Sequence, residues 1–380
     1  MAFKTRQGLP RYMHSLHLKT ETYAAVERRK RGAICGGGRL LLYLPRMQPF
    51  SLLIKAVGGA CNLACDYCFY RGHPAGAMDA ATLRRALDGY ASLPFAGKSV
   101  TFQGGEPLVG HGASLLPIAC EYPVEKALQT NATLVTDDLA RFLAANQWLV
   151  GASLDGPPQM NRLRGDSFEA AVRGIRALER NGADYNLVTV VSKANVDRPK
   201  EVYRFLRDSF STRFHQYIEC TGPRDAITGL EWGRFLVGLF DEWMIHDSRS
   251  VSVRIFDSIV SQMVNGTPVQ CSFAATCRQH LVVEHDGSVY PCDFHVSREL
   301  CLGNIRSTPL AEMAESPAYR AFAARKTGNL PPRCTACAYL PFCNGDCPRN
   351  RGTLCEGWSM FFAHALPTLQ KLAGEVAFAR

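Results

Sequence analysis

Three cysteines at the spacing Cys61-x3-Cys65-x2-Cys68 follow directly on an apolar run, Ser51–Val57, and the turn Gly58-Gly59-Ala60. A strand ending in such a loop presents three thiols to one point. Three thiolates can hold three irons of a 4Fe–4S cube and leave the fourth open, whereas a fully ligated cluster takes four cysteines. An open iron is a place for a second ligand to coordinate. The competing readings are a zinc knuckle, which usually closes its site with four ligands or a histidine partner, and thiols packed in a core.

Twelve further cysteines bring the total to fifteen in 380 residues. A secreted chain would pair them as disulfides. The first residues carry neither an apolar signal core nor a small-residue cleavage site, which predicts a cytoplasmic protein whose thiols serve metal. No apolar stretch reaches the roughly 20 residues of a membrane span. The net charge of +9 invites a nucleic-acid reading, but its distribution argues against one. Residues 1–47 hold ten Lys/Arg and two Glu, while residues 48–380 hold 33 basic and 32 acidic side chains. The charge belongs to a basic N-terminal extension, and Met47 is an alternative start.

From residue 48 to about 220, strand-like runs alternate with helix-like ones. The strands are Ser51–Val57, Ser99–Gln103, Lys126–Gln129, Trp148–Ser153, Tyr185–Val191 and Phe214–Glu219. Helical patterns occupy Ala80–Leu93, Asp137–Asn146 and Ser167–Asn181, the last with Phe168, Val172, Ile175 and Leu178 on one face. This alternation means βαβ units around a parallel sheet. Six such units predict an α/β fold, a partial (β/α)6 TIM-type barrel over residues 48–265 that includes a helical stretch at 225–265. Its chemistry is expected at the C-terminal ends of the strands. Residues 108–125 leave room for only one short crossover helix.

Residues 266–380 form a second, cysteine-rich domain. Cys271-x5-Cys277 precedes an apolar run that reads as a hairpin turning at Asp286-Gly287. The hairpin delivers Cys292, and Cys334-x2-Cys337-x5-Cys343-x3-Cys347 and Cys355 follow. Eight thiolates suffice for two fully ligated clusters, or for two structural zinc sites. Cys35, Cys120, Cys220 and Cys301 are left over as ordinary thiols.

The loop Cys61-x3-Cys65-Asp66-Tyr67-Cys68 after a first strand resembles the radical S-adenosylmethionine superfamily. The resemblance implies that the cofactor's methionine moiety chelates the open iron. An electron then cleaves the sulfonium, and a 5′-deoxyadenosyl radical takes a hydrogen atom from the substrate. Gly104-Gly105-Glu106-Pro107 is similar to the motif that meets the methionine amino group. By the same likeness Ser153 meets the ribose or carboxylate, and Arg164, with Arg162 as its rival, pairs with the carboxylate. Tyr67 and His215 are expected near the adenine. Ala132 stands where the family usually has Gly, and Asn161 replaces its usual His-Asp.

The C-terminal half resembles the SPASM extension of enzymes that modify peptides and proteins. That likeness gives one auxiliary cluster Cys271, Cys277, Cys292 and Cys347, and the other Cys334, Cys337, Cys343 and Cys355. Three 4Fe–4S clusters and S-adenosylmethionine are therefore the implied cofactors. The phrases Ser51-Leu-Leu-Ile-Lys55, Phe102-Gln-Gly-Gly-Glu-Pro107 and Gly287-Ser-Val-Tyr-Pro-Cys-Asp-Phe294 together are similar to anaerobic sulfatase-maturating enzymes. Those enzymes oxidise a Cys or Ser of an unfolded sulfatase segment to Cα-formylglycine.

Asp293, beside Cys292, is then the expected base for the thiol or hydroxyl proton. Tyr70 and Gln103 are candidate hydrogen-bond partners of the substrate, or core residues at strand ends. A flavodoxin or ferredoxin is the implied electron donor; no nucleic acid and no membrane are expected as partners. The alternative enzyme modifies another ribosomal peptide, for example by a thioether cross-link. A cluster-bearing regulator that binds nucleic acid would need a basic face, which the balance of residues 48–380 does not supply.

Overall fold

The computed structural model describes residues 50–95, 97–222 and 224–378. The readings made for residues 1–47, with Cys35 and Met47, lie outside the described residues.

Six strands follow one another in the expected order: β1 (Phe50–Lys55), β2 (Lys98–Phe102), β3 (Glu125–Thr130), β4 (Trp148–Ser153), β5 (Asp184–Val191) and β6 (Phe214–Glu219). All are parallel, each hydrogen-bonded to the next. Helices α1 (Ala80–Ala91), α2 (Asp137–Ala145), α3 (Phe168–Arg180) and α4 (Pro199–Ser209) cross between them. Asp79 starts α1 and Thr136 starts α2 by accepting a backbone N–H two residues into the helix. The tight crossover between β2 and β3 holds a 3-10 turn, Gly112–Leu115, and one helical turn, Leu116–Ala119.

Period-two alternation sorts the strand residues onto two faces. Phe50, Leu52, Ile54, Val100, Phe102, Trp148, Val150 and Ala152 are buried in the apolar core. Ser51, Ser99, Thr101, Gln103, Gln129, Asn186 and Gln216 face the other way and line one cavity of about 500 Å³. Strands from β1 to β6 contribute to that single cavity, so the sheet curls around it as a partial barrel. A parallel sheet packed on both sides would be apolar on both; a polar inner face marks a lumen built to receive something.

The helical stretch after β6 is interrupted. Helices α5 (Gly229–His246) and α6 (Arg254–Asn265) flank a two-residue strand, β7 (Ser252–Val253), which pairs parallel with Phe214 and His215. The hairpin forms as expected from β8 (His280–Glu284) and β9 (Ser288–Tyr290), with Gly287 at φ 86° in the turn. Its placement adds something that local pattern does not encode. β8 pairs parallel with β1, Ser51 opposite His280 and Lys55 opposite Glu284. The cysteine-rich half thus continues the barrel sheet, and β10 (Gly303–Asn304) closes the order β10-β9-β8-β1-β2-β3-β4-β5-β6-β7.

Helix α7 (Pro317–Gly328) and α8 (Cys355–Phe378) complete the described chain. From the last cysteine onward, α8 runs for 24 residues. It is held against α5, where a Cβ on Gly357 would come within 2.1 Å of the Gly229 carbonyl oxygen. Trp232, Phe240, Phe256, Trp358 and Phe361 form a continuous aromatic contact beside that crossing. Burial of such rings at about 25 cal/mol per Å² outweighs the weak helical signal of the sequence. No described helix is long and apolar enough to cross a membrane.

Candidate active site and metal centres

The loop after β1 carries Cys61, Cys65 and Cys68, and the loop after β2 lies directly on it. Gly105 N–H donates to the Gly58 carbonyl at 2.8 Å and Glu106 N–H to the Ala60 carbonyl at 2.7 Å. A Cβ on Gly105 would sit 1.9 Å from the Ala60 oxygen, and one on Gly104 3.1 Å from the Gly58 oxygen. The paired glycines are therefore required for contact between the two loops. Asn131, at the end of β3, donates to Asn62 at 2.9 Å and lies 3.9 Å from the Cys61 sulfur. Burial raises the Cys61 and Cys65 thiols above their usual value, while Arg164 opposes the rise at Cys65.

Glu106 is fully engaged. Its carboxylate accepts Leu108 N–H, the Thr130 hydroxyl at 2.8 Å and Asn131 N–H at 2.7 Å. Burial raises its pKa against those bonds. The candidate thus locks the end of β3 beneath the first cysteine loop, a role the motif alone does not reveal.

Arg164 is buried and Arg162 exposed. Arg164 Nη1 donates to the Tyr67 hydroxyl at 2.7 Å, and its Nε, buried, has no partner. The Tyr67 hydroxyl donates in turn to Asp155, whose other oxygen accepts Val190 N–H at 2.9 Å. Tyr67 is therefore held by its hydroxyl in a buried Arg–Tyr–Asp chain beside Cys65. Asn161 accepts the Asp155 N–H at 3.1 Å, a structural use for the residue that departs from the family pattern. Ser153 accepts from Gln129 at 3.1 Å. His215, the second residue of β6, alternates with the lumen-facing Gln216 and packs outward on Tyr203 of α4, ring centres 5.8 Å apart; both ring nitrogens are unpartnered, and burial lowers its pKa to about 3.

The eight C-terminal cysteines fall into two neighbourhoods. Cys271 is pushed up to about 12 by burial and then by Cys347 and Cys277, while Cys292 is raised by burial, Asp293, Cys271 and Cys347. Cys343 and Cys355 are raised by burial and each faces Cys334 and Cys337. These four line one small cavity with Trp358 and Asp346. Cys347 thus lies with Cys271 and with Cys292 at the end of the hairpin.

The spacing of the sulfurs fits iron clusters. One tetrahedral zinc at about 2.3 Å from each sulfur would bring its thiolates within roughly 4 Å of one another. Among the described residues, the one group of three ligand atoms within 4.8 Å is His280, Cys292 and Asp293. No cysteine trio is so close. Wider spacing fits ligands on separate irons of a cube, and the buried thiols would release protons as they bind it.

Asp293 joins the two halves of the site. Gln103, at the end of β2, donates to its Oδ2 at 3.3 Å. Lys55, only 1% exposed, lies nearby with its ammonium 4.3 Å from the Tyr70 ring centre. Burial lowers the Lys55 pKa, while Asp293, Glu284, Cys292 and Cys68 raise it. The Tyr70 hydroxyl donates to Glu284 of β8, so its proton is committed within the fold. Phe69 and Phe294 pack 4.5 Å apart and Arg349 caps Phe294 at 4.3 Å, which ties three cysteine loops together. Sequence reasoning missed Lys55, Asp155, His280 and Asn131. The signal for Lys55 was a lone charge ending an apolar strand.

Two family models match the chain: the radical SAM superfamily over residues 56–206 and an iron–sulfur cluster-binding domain, SPASM, over 271–338. A serine-type anaerobic sulfatase-maturating enzyme of Bacteroides thetaiotaomicron is 30% identical, covering 88% of this chain and 94% of that protein. A cysteine-type anaerobic sulfatase-maturating enzyme of Clostridium perfringens is 29% identical, covering 87% and 100%. The solved structure of native anSMEcpe with bound AdoMet superimposes with a TM-score of 0.80 at 29% identity, covering 86% of this chain and all of that one. The same protein with bound AdoMet and Cp18Cys peptide gives 0.79. With relatives matched along nearly their whole length, the chain belongs to the family of anaerobic sulfatase-maturating enzymes, within the radical SAM superfamily.

Proposed function

We propose that the protein oxidises a cysteine or serine of an unfolded sulfatase segment to Cα-formylglycine. The observation that carries the reading is the position of Asp293: it bonds to Gln103 at a barrel strand end and adjoins Cys292 of the auxiliary set. The group that takes the substrate's thiol or hydroxyl proton and the ligand set that would take its electron thus lie side by side.

Cys61, Cys65 and Cys68 would hold the 4Fe–4S cluster, and the eight C-terminal cysteines would hold two auxiliary clusters. When bound, the first cluster and S-adenosylmethionine supply the radical that abstracts a hydrogen atom. Arg164 offers its unpartnered Nε to the cofactor carboxylate. Gly104, Gly105 and Glu106 shape the wall that meets its amino group, while Ser153 and Tyr67 bound the nucleoside side; His215, packed on Tyr203 behind the sheet, takes no part in it. Asp293 accepts the substrate thiol or hydroxyl proton; Gln103 donates to its Oδ2, and the Cys292 sulfur lies 3.7 Å from its Oδ1. Gln103 fixes the carboxylate plane, and Lys55 supplies positive charge beneath it. Tyr70 orients the base side of the site through Glu284. A flavodoxin or ferredoxin serves as electron donor, and the protein works in the cytoplasm.

The test is anaerobic turnover of the reconstituted protein with S-adenosylmethionine, a reductant and peptides carrying Cys-x-Pro-x-Arg or Ser-x-Pro-x-Arg. A mass change matching aldehyde formation, with 5′-deoxyadenosine alongside, supports the reading. Deoxyadenosine with unchanged peptides rejects this substrate.

A further inference from the structure

We propose that Lys326 is the fixed counter-cation of the auxiliary cluster held by Cys271, Cys277, Cys292 and Cys347, and that its charge raises that cluster's reduction potential. The proposal rests on the ligand assignment made above.

Lys326 lies in the last turn of α7 and is 0% exposed. Lysine is almost never fully buried unless it is paired. Yet among the described residues Lys326 makes no ion pair. Its ammonium donates to the Cys271 carbonyl at 3.3 Å and to the Ser272 carbonyl. Carbonyl dipoles solvate a cation in part and do not neutralise it. The acidic groups within its electrostatic reach are the Cys271, Cys277 and Cys347 sulfurs and Asp346, and Arg351 adds a second positive charge toward Cys277 and Asp346. Three of its four acidic neighbours are thus ligands of one cluster. The charged neighbours named at Cys343 and Cys355, in the other set, are Asp346, Arg333 and fellow cysteines.

The ammonium is held firmly. Cys277 N–H donates to the Ala323 carbonyl of α7 at 3.2 Å. Arg351 donates to the carbonyls of Lys326, Asn329 and Gly345, and so closes the end of the same helix. The negative end of the helix dipole favours a cation there. A cube with four thiolates is anionic and becomes more so on reduction. A buried positive charge at short range therefore favours the reduced form, because the low local dielectric leaves the attraction unscreened. The cluster so tuned is the one whose ligand Cys292 adjoins Asp293. Bound there, a cluster would lie nearest Asp293 and could accept the single electron that the substrate radical gives up on becoming a carbonyl or thiocarbonyl, to be returned to an external one-electron acceptor.

The experiment is a redox titration of the reconstituted full chain, followed by electron paramagnetic resonance, for wild type, Lys326→Gln and Lys326→Arg. Iron and sulfide are counted in each sample. Lys326→Gln is expected to shift one auxiliary cluster at least tenfold toward its oxidised form, about 59 mV for one electron. Lys326→Arg keeps the wild-type midpoint, and the other two clusters do not move. Unchanged midpoints in a fully loaded Lys326→Gln protein overturn the proposal. If Lys326→Gln loses iron, Lys326→Arg decides: a retained cluster at the wild-type midpoint supports the charge, and loss of iron there too overturns it. The titration contains no peptide, so it stands or falls separately from the assigned substrate.

Discussion

Gln103 and Asp293 lie 190 positions apart in the chain and meet at 3.3 Å. One ends a barrel strand, and the other leaves the hairpin whose first strand is bonded to β1. The parallel pairing of β8 with β1 makes this contact, and so carries a candidate base from the cysteine-rich half into the barrel lumen.

Asp293→Asn keeps the shape of the contact and removes the base. Peptide oxidation is expected to fall by about 10²–10⁴-fold. Iron content and cofactor binding stay at the wild-type level. Gln103→Ala, which only frees the carboxylate, costs about 10-fold. Turnover assays with parallel iron analysis check both.

Arg164 and Arg162 were rivals in the sequence, and burial separates them. Arg164→Lys loses the planar guanidinium and weakens S-adenosylmethionine binding by about 10–100-fold. Arg162→Ala leaves it unchanged. Equilibrium binding to the reconstituted protein is the measurement. Equal losses in the two variants would remove Arg164 from the cofactor site.

Gly105→Ala places a methyl group 1.9 Å from the Ala60 carbonyl oxygen, which is backbone and cannot rotate aside. The first cysteine loop is displaced as a result. The variant is expected to lose the iron of one cluster and all cofactor cleavage, while the two auxiliary clusters remain. Iron counting and electron paramagnetic resonance would show it.

Glu125 lines the cavity at the start of β3, where burial pushes its pKa to about 7 from 4.5, with Lys126 opposing. The folded state binds its proton more tightly than the unfolded chain does. The resulting stability is full below about pH 4.5 and is lost as pH rises through about 7, at most about 3 kcal/mol. Glu125→Gln removes this dependence. Urea unfolding of both proteins between pH 5 and 8 should show the wild type weakening relative to the variant as pH rises.

Much of the fold was legible because its signals are local. Trp148–Ser153 and Phe214–Glu219 form strands with the expected bounds, and α3 buries Ile175 and Leu178 as its spacing requires. Cysteine spacing made the metal centres legible, since thiols separated by two, three and five intervening residues have few other uses. What stayed hidden is set by long-range partners. Nothing near His280 says that β8 will pair with β1, and nothing in α8 shows that Gly357 will cross Gly229. The sequence assigned no role to Lys55 or Lys326, because it does not display the anions that draw a lysine inside. Glu106 was read toward a ligand, while its carboxylate also binds three groups of its own chain.

The most direct test of the account follows the hydrogen atom. A peptide with Cys-x-Pro-x-Arg, deuterated at the target Cβ, is turned over anaerobically with S-adenosylmethionine and a reductant. The account predicts one deuterium in 5′-deoxyadenosine for each formylglycine formed. A modified peptide with no deuterium in the deoxyadenosine would contradict it.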